Sequence, residues 1–273
     1  MLAPEAPRTE WGATPLCGRT ARRAGDTLRI MLVAAAVCPC PPLLVPDVAQ
    51  GAAPELDDAR VGCTDAIAVL AASRPDLLVV VGPDPQAAEP ARYPAGTPGD
   101  FRGFGVDLDV RLGAAEPDTG AAVPEGRTLP ASLAVGAWLL ARDDWGDAPV
   151  EGLAVPERLA PERCAGAGRE LAGRAPRVAL LVMGDGSACR TVKAPGYLDE
   201  RAAGFDEEAF RALGAADASA LAALDADLAH ELKAAGRAPW QVLAGAAEGA
   251  GLEGRLLYED APYGVGYGVA VWA

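Results

Sequence analysis

Three sharp breaks in this sequence carry side chains able to do acid–base, metal or nucleophilic chemistry, and each one closes an apolar run. Cys38-Pro-Cys40-Pro-Pro follows the run that starts at Met31, Gly82-Pro83-Asp84 ends a second, and Gly184-Asp185-Gly186-Ser187 ends a third. A carboxylate in such a place can ligate a metal, act as a base or hold a donor group of a substrate. Asp185 and Ser187 are the candidate catalytic residues. Cys40, Asp84, Arg190 and Lys193 are the candidate substrate-binding residues, and Cys40 and Asp84 are also the candidate metal ligands. Asp after Gly or Pro is also ordinary turn chemistry, and Asp or Ser before a helix is ordinary capping. The coincidence of all three breaks at strand ends is therefore what marks a site.

Each residue leaves alternatives open. Cys40 would serve as a nucleophile if its pKa were lowered, and a Cys40 thiolate with Asp84 and Asp185 would suit zinc better than iron. As small apolar side chains, Cys38 and Cys40 would simply be buried. Arg190 and Lys193 would bind an anionic substrate or remain solvated loop charges. The single histidine, His230, lies in a late Ala-rich helical stretch, expected to be far from these strand ends and partly exposed.

The elements that must position these residues alternate. Apolar runs at 31–37, 77–81, 106–110, 150–155 and 178–183 read as strands. Between them, 54–73, 129–141 and 161–173 carry apolar residues at helical spacing. Residues 86–105 read as a long Pro/Gly-rich loop, of the length that is usually functional or mobile. Two or three helices fill 200–248, with 217–235 the clearest, and 255–258 with 265–272 reads as a closing strand pair. The alternation predicts a three-layer α/β domain with a mostly parallel sheet flanked by helices, spanning 31–273 as a single domain. In such sheets ligands bind outside the carboxyl ends of the strands. Residues 1–30 show no periodicity and read as a disordered or mis-annotated extension, with Met31 as the expected start.

Composition narrows the function classes. The chain has 273 residues, 51% hydrophobic and 5% aromatic, so its core must be built from Val, Leu and Ala. A formal charge of -14 repels phosphate backbones and sets nucleic acid aside as a partner. No apolar stretch reaches transmembrane length, so no membrane association is expected. The six cysteines form no CxxC pairs, which fits reduced thiols in a cytoplasm.

The order of the motifs resembles a family. Residues 34–46, Ala-Ala-Ala-Val-Cys-Pro-Cys-Pro-Pro-Leu-Leu-Val-Pro, the Val-Val-Val-Gly-Pro-Asp84 strand end and Val182-Met-Gly-Asp-Gly-Ser187 are similar to class III extradiol ring-cleavage dioxygenases of the B-subunit type and to the related Memo-like proteins. Lys193-Ala-Pro-Gly-Tyr197, Phe205-Asp-Glu-Glu-Ala-Phe210 and Ala238-Pro-Trp-Gln-Val-Leu-Ala-Gly-Ala246 extend the likeness over residues 31–273. The resemblance implies Fe(II) held by two histidines and a carboxylate, cleaving a catechol-type ring with O₂. Every functional position departs from that pattern. Cys40 matches the first ligand histidine, Asp84 or its neighbourhood the second, Ala188 the catalytic histidine, and Ala235-Gly236 the last ligand.

The expectation is accordingly a family relative degenerate at the iron site, binding a small molecule or a protein partner in the ancestral cleft and open to assembly as a homo-oligomer. Two alternatives stand beside it: an active dioxygenase with its ligands elsewhere or borrowed from a partner chain, and a non-oxidative enzyme using Asp84, Asp185, Ser187 and Cys40.

Overall fold

The computed structural model describes residues 31–114 and 126–273. The expected extension at 1–30 and Cys17 lie outside the described residues. Seven strands form the central sheet in the order β3-β6-β2-β7-β1-β9-β8. Its parallel centre consists of β1 (Met31–Cys38), β2 (Leu77–Asp84), β6 (Val150–Pro156) and β7 (Arg177–Met183). Antiparallel strands close both sides: β3 (Ala91–Tyr93) beside β6, and β9 (Tyr267–Trp272) with β8 (Gly254–Asp260) beside β1. The α/β architecture, with helices on both faces of a mostly parallel sheet, is the one the alternation of elements predicts.

Alternate residues of each strand feed two cores, as the two-residue period of a strand requires. Ala34, Ala36 and Cys38 of β1 join Leu78, Val80, Ala179, Leu181 and Met183 on one face. There they meet α2 (Asp57–Ala72) and α3 (Ala131–Arg142). Leu32, Ala35 and Val37 join Val79, Val81, Val178, Leu180 and Val182 on the other. A register shift between Leu32 and Ala34 puts Leu32 on the same face as Ala35. This second face is covered by α4 (Pro161–Ala172), α5 (Arg201–Gly214) and α8 (Arg237–Ala246).

Chains leaving neighbouring strands therefore go to opposite faces. After β1 the chain turns to α2, and after adjacent β7 it turns to α5. After β2 it turns to α3, and after adjacent β6 to α4. The crossovers thus part at the carboxyl ends of these four strands, where an open α/β sheet holds its ligands.

Three local expectations are corrected. The stretch 217–235 is not one helix. Asp217 and Asp225 each accept backbone N–H bonds, from Ala220 at 3.0 Å and from Asp227 at 2.8 Å, and so restart α6 (Ala218–Ala222) and α7 (Ala226–Glu231). The apolar run at 106–110 does not join the central sheet: β5 (Asp109–Arg111) pairs only with β4 (Pro98–Asp100). Arg102 holds this small sheet, bridging Asp100, Asp107 and Asp109 at 3.2, 3.0 and 2.8 Å. The expected loop at 86–105 also contains the edge strand β3, whose pairing with β6 satisfies backbone groups that sequence periodicity alone leaves unassigned. A last short helix, α1 (Pro46–Ala49), follows the first strand break. Among the described residues no helix is long and apolar enough to cross a membrane.

Helix α8 lies so close to α4 that glycine is required at the crossing. A Cβ on Gly168 would run into the Val242 carbonyl, and one on Gly245 into the Ala165 carbonyl. Gly245→Val is expected to lower stability by about 2–3 kcal/mol, because backbone on both sides leaves nothing soft to move; urea unfolding followed by circular dichroism reads the change.

Candidate functional site

Each of the four parallel strands delivers one titratable side chain to the carboxyl end of the sheet. In spatial order across the sheet these are Glu157 after β6, Asp84 at the end of β2, Asp185 after β7 and Cys40 after β1. β9, running the other way, brings Tyr267 to the same end beside Cys40 and Asp185.

Asp185 is the centre of the row. It lies half-buried, and its Oδ1 accepts the Cys40 backbone N–H at 2.8 Å, tying the β7 exit to the β1 exit. Burial pushes its carboxyl up to about 7, with the Cys40 N–H and thiol pulling partly the other way. A carboxyl so tuned can both take and give a proton at neutral pH. Burial above all, and then the charges of Asp185 and Glu157, hold the Cys40 thiol well above the ordinary range. The proton therefore stays on Cys40, against what a nucleophile or a soft-metal ligand needs. Tyr267 is raised by the same burial and by Asp185 and Cys40.

The turn carrying Asp185 is fixed from three sides. Gly186 N–H donates to Gly266 O at 2.7 Å, Gly266 N–H to Ser187 O at 2.8 Å, and Gly236 N–H to Asp185 O at 2.8 Å. From α5, the buried Asp206 carboxylate accepts the Ser187 N–H at 2.6 Å, the Ser187 hydroxyl at 2.8 Å and Arg190 Nη1 at 3.0 Å. Burial raises the Asp206 carboxyl, and these donors offset part of that rise. Gly186 and Gly266 leave room for it, since a Cβ on either would press on the Asp206 carboxylate.

The structure sorts the residues picked from sequence. Asp185 and Cys40 are brought together. Ser187 is fully buried with both its N–H and its hydroxyl committed to Asp206, so it holds the turn rather than facing the cleft. Arg190 is the third donor of that same clamp, and Lys193 is exposed on the following loop. Asp84 accepts the Gln86 N–H at 2.9 Å in a tight turn and lines a cavity of about 300 Å³ with Tyr93, Thr128 and Ala131.

His230 requires a correction, since it is not remote from the strand ends. It is exposed, as its helical spacing predicts, but lines a cavity of about 70 Å³ with Glu157, Lys233, Ala229 and Ala234. Glu157 is raised by burial and by Asp84, with His230 and Arg237 acting against the rise. The Arg237 guanidinium, itself buried, donates to the carbonyls of Glu157 and Leu159 and to Gln241 Oε1, fixing the chain just past β6.

Glu157 had a visible signal, because Pro156-Glu157 ends an apolar run in the same manner as the three breaks picked from sequence. Asp206 had one too, since it falls on the buried stripe Ala202, Asp206, Phe210 and Leu213 of α5, where only apolar side chains are expected.

The metal chemistry implied by the resemblance does not fit these residues. A 2-His-1-carboxylate site needs two imidazoles, and the chain has one histidine. Among the described residues no group of three or more His, Cys, Asp or Glu side chains is arranged to hold a metal ion. Cys40, Asp84 and Asp185 thus do not make the three-ligand zinc site weighed from sequence.

No protein-family model and no curated protein matches the chain. Among solved structures it is similar to the crystal structure of an uncharacterized protein, JW3007, from Escherichia coli K12. The two are 16% identical with a TM-score of 0.52, over 88% of this chain and 99% of that one. At this identity the likeness establishes the fold alone.

The raised Asp185 carboxyl has a direct consequence for stability. Its ordinary value is 3.8 and its folded value about 7. Well below pH 4 the group is protonated in both folded and unfolded chains and costs nothing. As pH rises from about 4 to 7 the unfolded chain ionises first, so the fold loses stability and carries the full penalty above 7. Asp185→Asn removes that penalty. Its stability relative to wild type should rise by about 2 kcal/mol between pH 4 and pH 8, a figure reduced for partial exposure; denaturant unfolding at the two pH values measures it.

Proposed function

We propose that this chain is a relative of the class III extradiol dioxygenases of the B-subunit type that has given up the iron site, and that it binds a small molecule in the strand-end cleft with Asp185 as the proton-transfer group. What carries the reading is Asp185 itself: a half-buried carboxyl, raised to about 7, presented at the junction of β1 and β7 where the chain departs to opposite faces. The sequence likeness supports the ancestry, and the similar fold of the Escherichia coli protein is compatible with it. The rewriting of each ligand and catalytic-histidine position to Cys40, Asp84, Ala188 and Ala235-Gly236 supports the loss of iron.

A cleft of this composition does its chemistry through the protein's own groups. Asp185 takes a proton from, or returns it to, a ligand atom at the β1/β7 junction. Cys40 contributes its N–H to the Asp185 carboxylate and a neutral thiol beside it. The clamp around Ser187 and Asp206 keeps the carboxylate in place without a further charge entering the cleft.

Two measurements test this. After anaerobic incubation with Fe(II), Zn(II) or Mn(II) and desalting, the protein should retain no stoichiometric metal. Near-equimolar retention, lost in Cys40→Ser or Asp84→Ala, together with catechol cleavage under O₂, would contradict the reading. In a thermal-shift screen of small carboxylic acids, phenols and amines, compounds that stabilise the wild type should lose their effect in Asp185→Asn. Equal stabilisation of both proteins would remove Asp185 from the binding site.

A further inference from the structure

We propose that Glu157, His230 and Lys233 form a subsite at the β6 end of the cleft that binds a carboxylate group of the ligand; the proposal rests on the strand-end cleft as the binding site and names what its ligand carries. The three side chains line one cavity of about 70 Å³ with Ala229 and Ala234. That volume is about two waters' worth, enough for a carboxylate and too small for a ring.

The use of cations in this chain singles the pocket out. There are 22 arginines but only two lysines and one histidine. Both non-guanidinium cation types meet here: His230 and Lys233 share the pocket, and Lys233 Nζ reaches toward Pro195 O, at 3.4 Å, on the loop that carries Lys193. An ammonium is a compact, rotatable donor and a guanidinium a rigid fork, so lysine is not a neutral replacement for arginine in a small cavity.

Lys233 is also held at a backbone cost. Its φ is +57°, in the position just past the end of α7 that glycine usually fills. The side chain is accommodated by Gly196, where a Cβ would come within 3.2 Å of Lys233 Cδ.

Two nearby arginines are committed elsewhere. Arg237 is spent on backbone carbonyls and Gln241, and Arg190 on Asp206. Glu231, the acidic residue of α7 that lies nearest in sequence to Lys233, pairs with Arg201 at 2.8 Å and so leaves Lys233 its charge. Lys233 has at most one of its three N–H groups engaged, by a long bond, and the pocket is therefore richer in donors than in acceptors. Its one acidic group is Glu157, raised by burial and by Asp84 with His230 and Arg237 acting against the rise. A ligand whose carboxylate sits here extends its body across Asp84 toward Asp185, along the row of strand ends.

The scarcity of these residues makes the test direct. In full-length protein labelled with ¹³C-lysine and ¹³C-histidine, the Lys233 and His230 signals report the pocket and the Lys193 signal is the control. Acetate is titrated at constant ionic strength, with inorganic phosphate and chloride as parallel arms. The expected result is a saturable shift of Lys233 and His230 with a common midpoint for acetate, no matching response of Lys193, and no saturation with chloride. Lys233→Ala should weaken acetate binding by about tenfold, read at His230, whereas Lys193→Ala should leave it unchanged. Linear, unsaturated shifts, equal movement of both lysines, or saturation by phosphate without acetate would overturn the proposal. Repeating the titration in Asp185→Asn separates the two readings, because the subsite should bind acetate there as in wild type even if Asp185 plays no part in the chemistry.

Discussion

The buried Asp206 carboxylate is the constraint on which the site depends. It reaches from α5 to collect the Ser187 N–H, the Ser187 hydroxyl and Arg190, and so fixes a turn that would otherwise be free to swing at the end of β7. A buried carboxylate is tolerated only when its lone pairs are satisfied, and three donors do this. The arrangement works in both directions. The turn supplies the donors that let Asp206 remain in the core, and Asp206 aims Asp185, two residues before Ser187, across to the β1 exit, where it meets the Cys40 N–H at 2.8 Å. Gly186 and Gly266 belong to the same constraint, since their missing side chains are what allow the carboxylate to approach the turn.

From that fixed point the electrostatics of the cleft follow. Four parallel strands end side by side, and acidic groups stand at three of those ends. Burial raises Asp185 and Glu157, so that ionising each is disfavoured, while Cys40, on the β1 side of Asp185, keeps its proton. The result is a row of strand-end groups in which Asp185, raised to about 7, can change its protonation near neutral pH. Arg237 performs at β6 what Asp206 performs at β7: a buried polar group that gathers backbone partners and sets the position of one cleft carboxyl.

The sequence exposed the parallel centre of the sheet because its strands are continuous apolar runs, buried on both faces, punctuated by Pro and Gly. It exposed Asp185 and Cys40 for the same reason, since such breaks fall at strand ends. What it hid depends on contacts between distant segments. Ser187 and Asp206 are 19 residues apart, and only the fold turns a candidate catalytic hydroxyl into one arm of a clamp. His230 was hidden by the helical register of α7, which makes it an ordinary exposed residue. Its relevance comes from Glu157, 73 residues away in the chain, lining the same cavity. Residues 217–235 read as one helix because alanine-rich periodicity outweighs Asp217 and Asp225, whose capping restarts the helix twice.

The claim that Asp185 is the proton-transfer group of this cleft is tested most directly by its own titration. Carboxyl ¹³C signals of uniformly labelled protein would be followed from acid to mildly alkaline pH, with Asp185 assigned by comparison with Asp185→Asn. The account predicts a midpoint near 7 for this carboxyl. A midpoint near 4, in the range of exposed aspartates, would contradict it and leave Asp185 an ordinary turn residue.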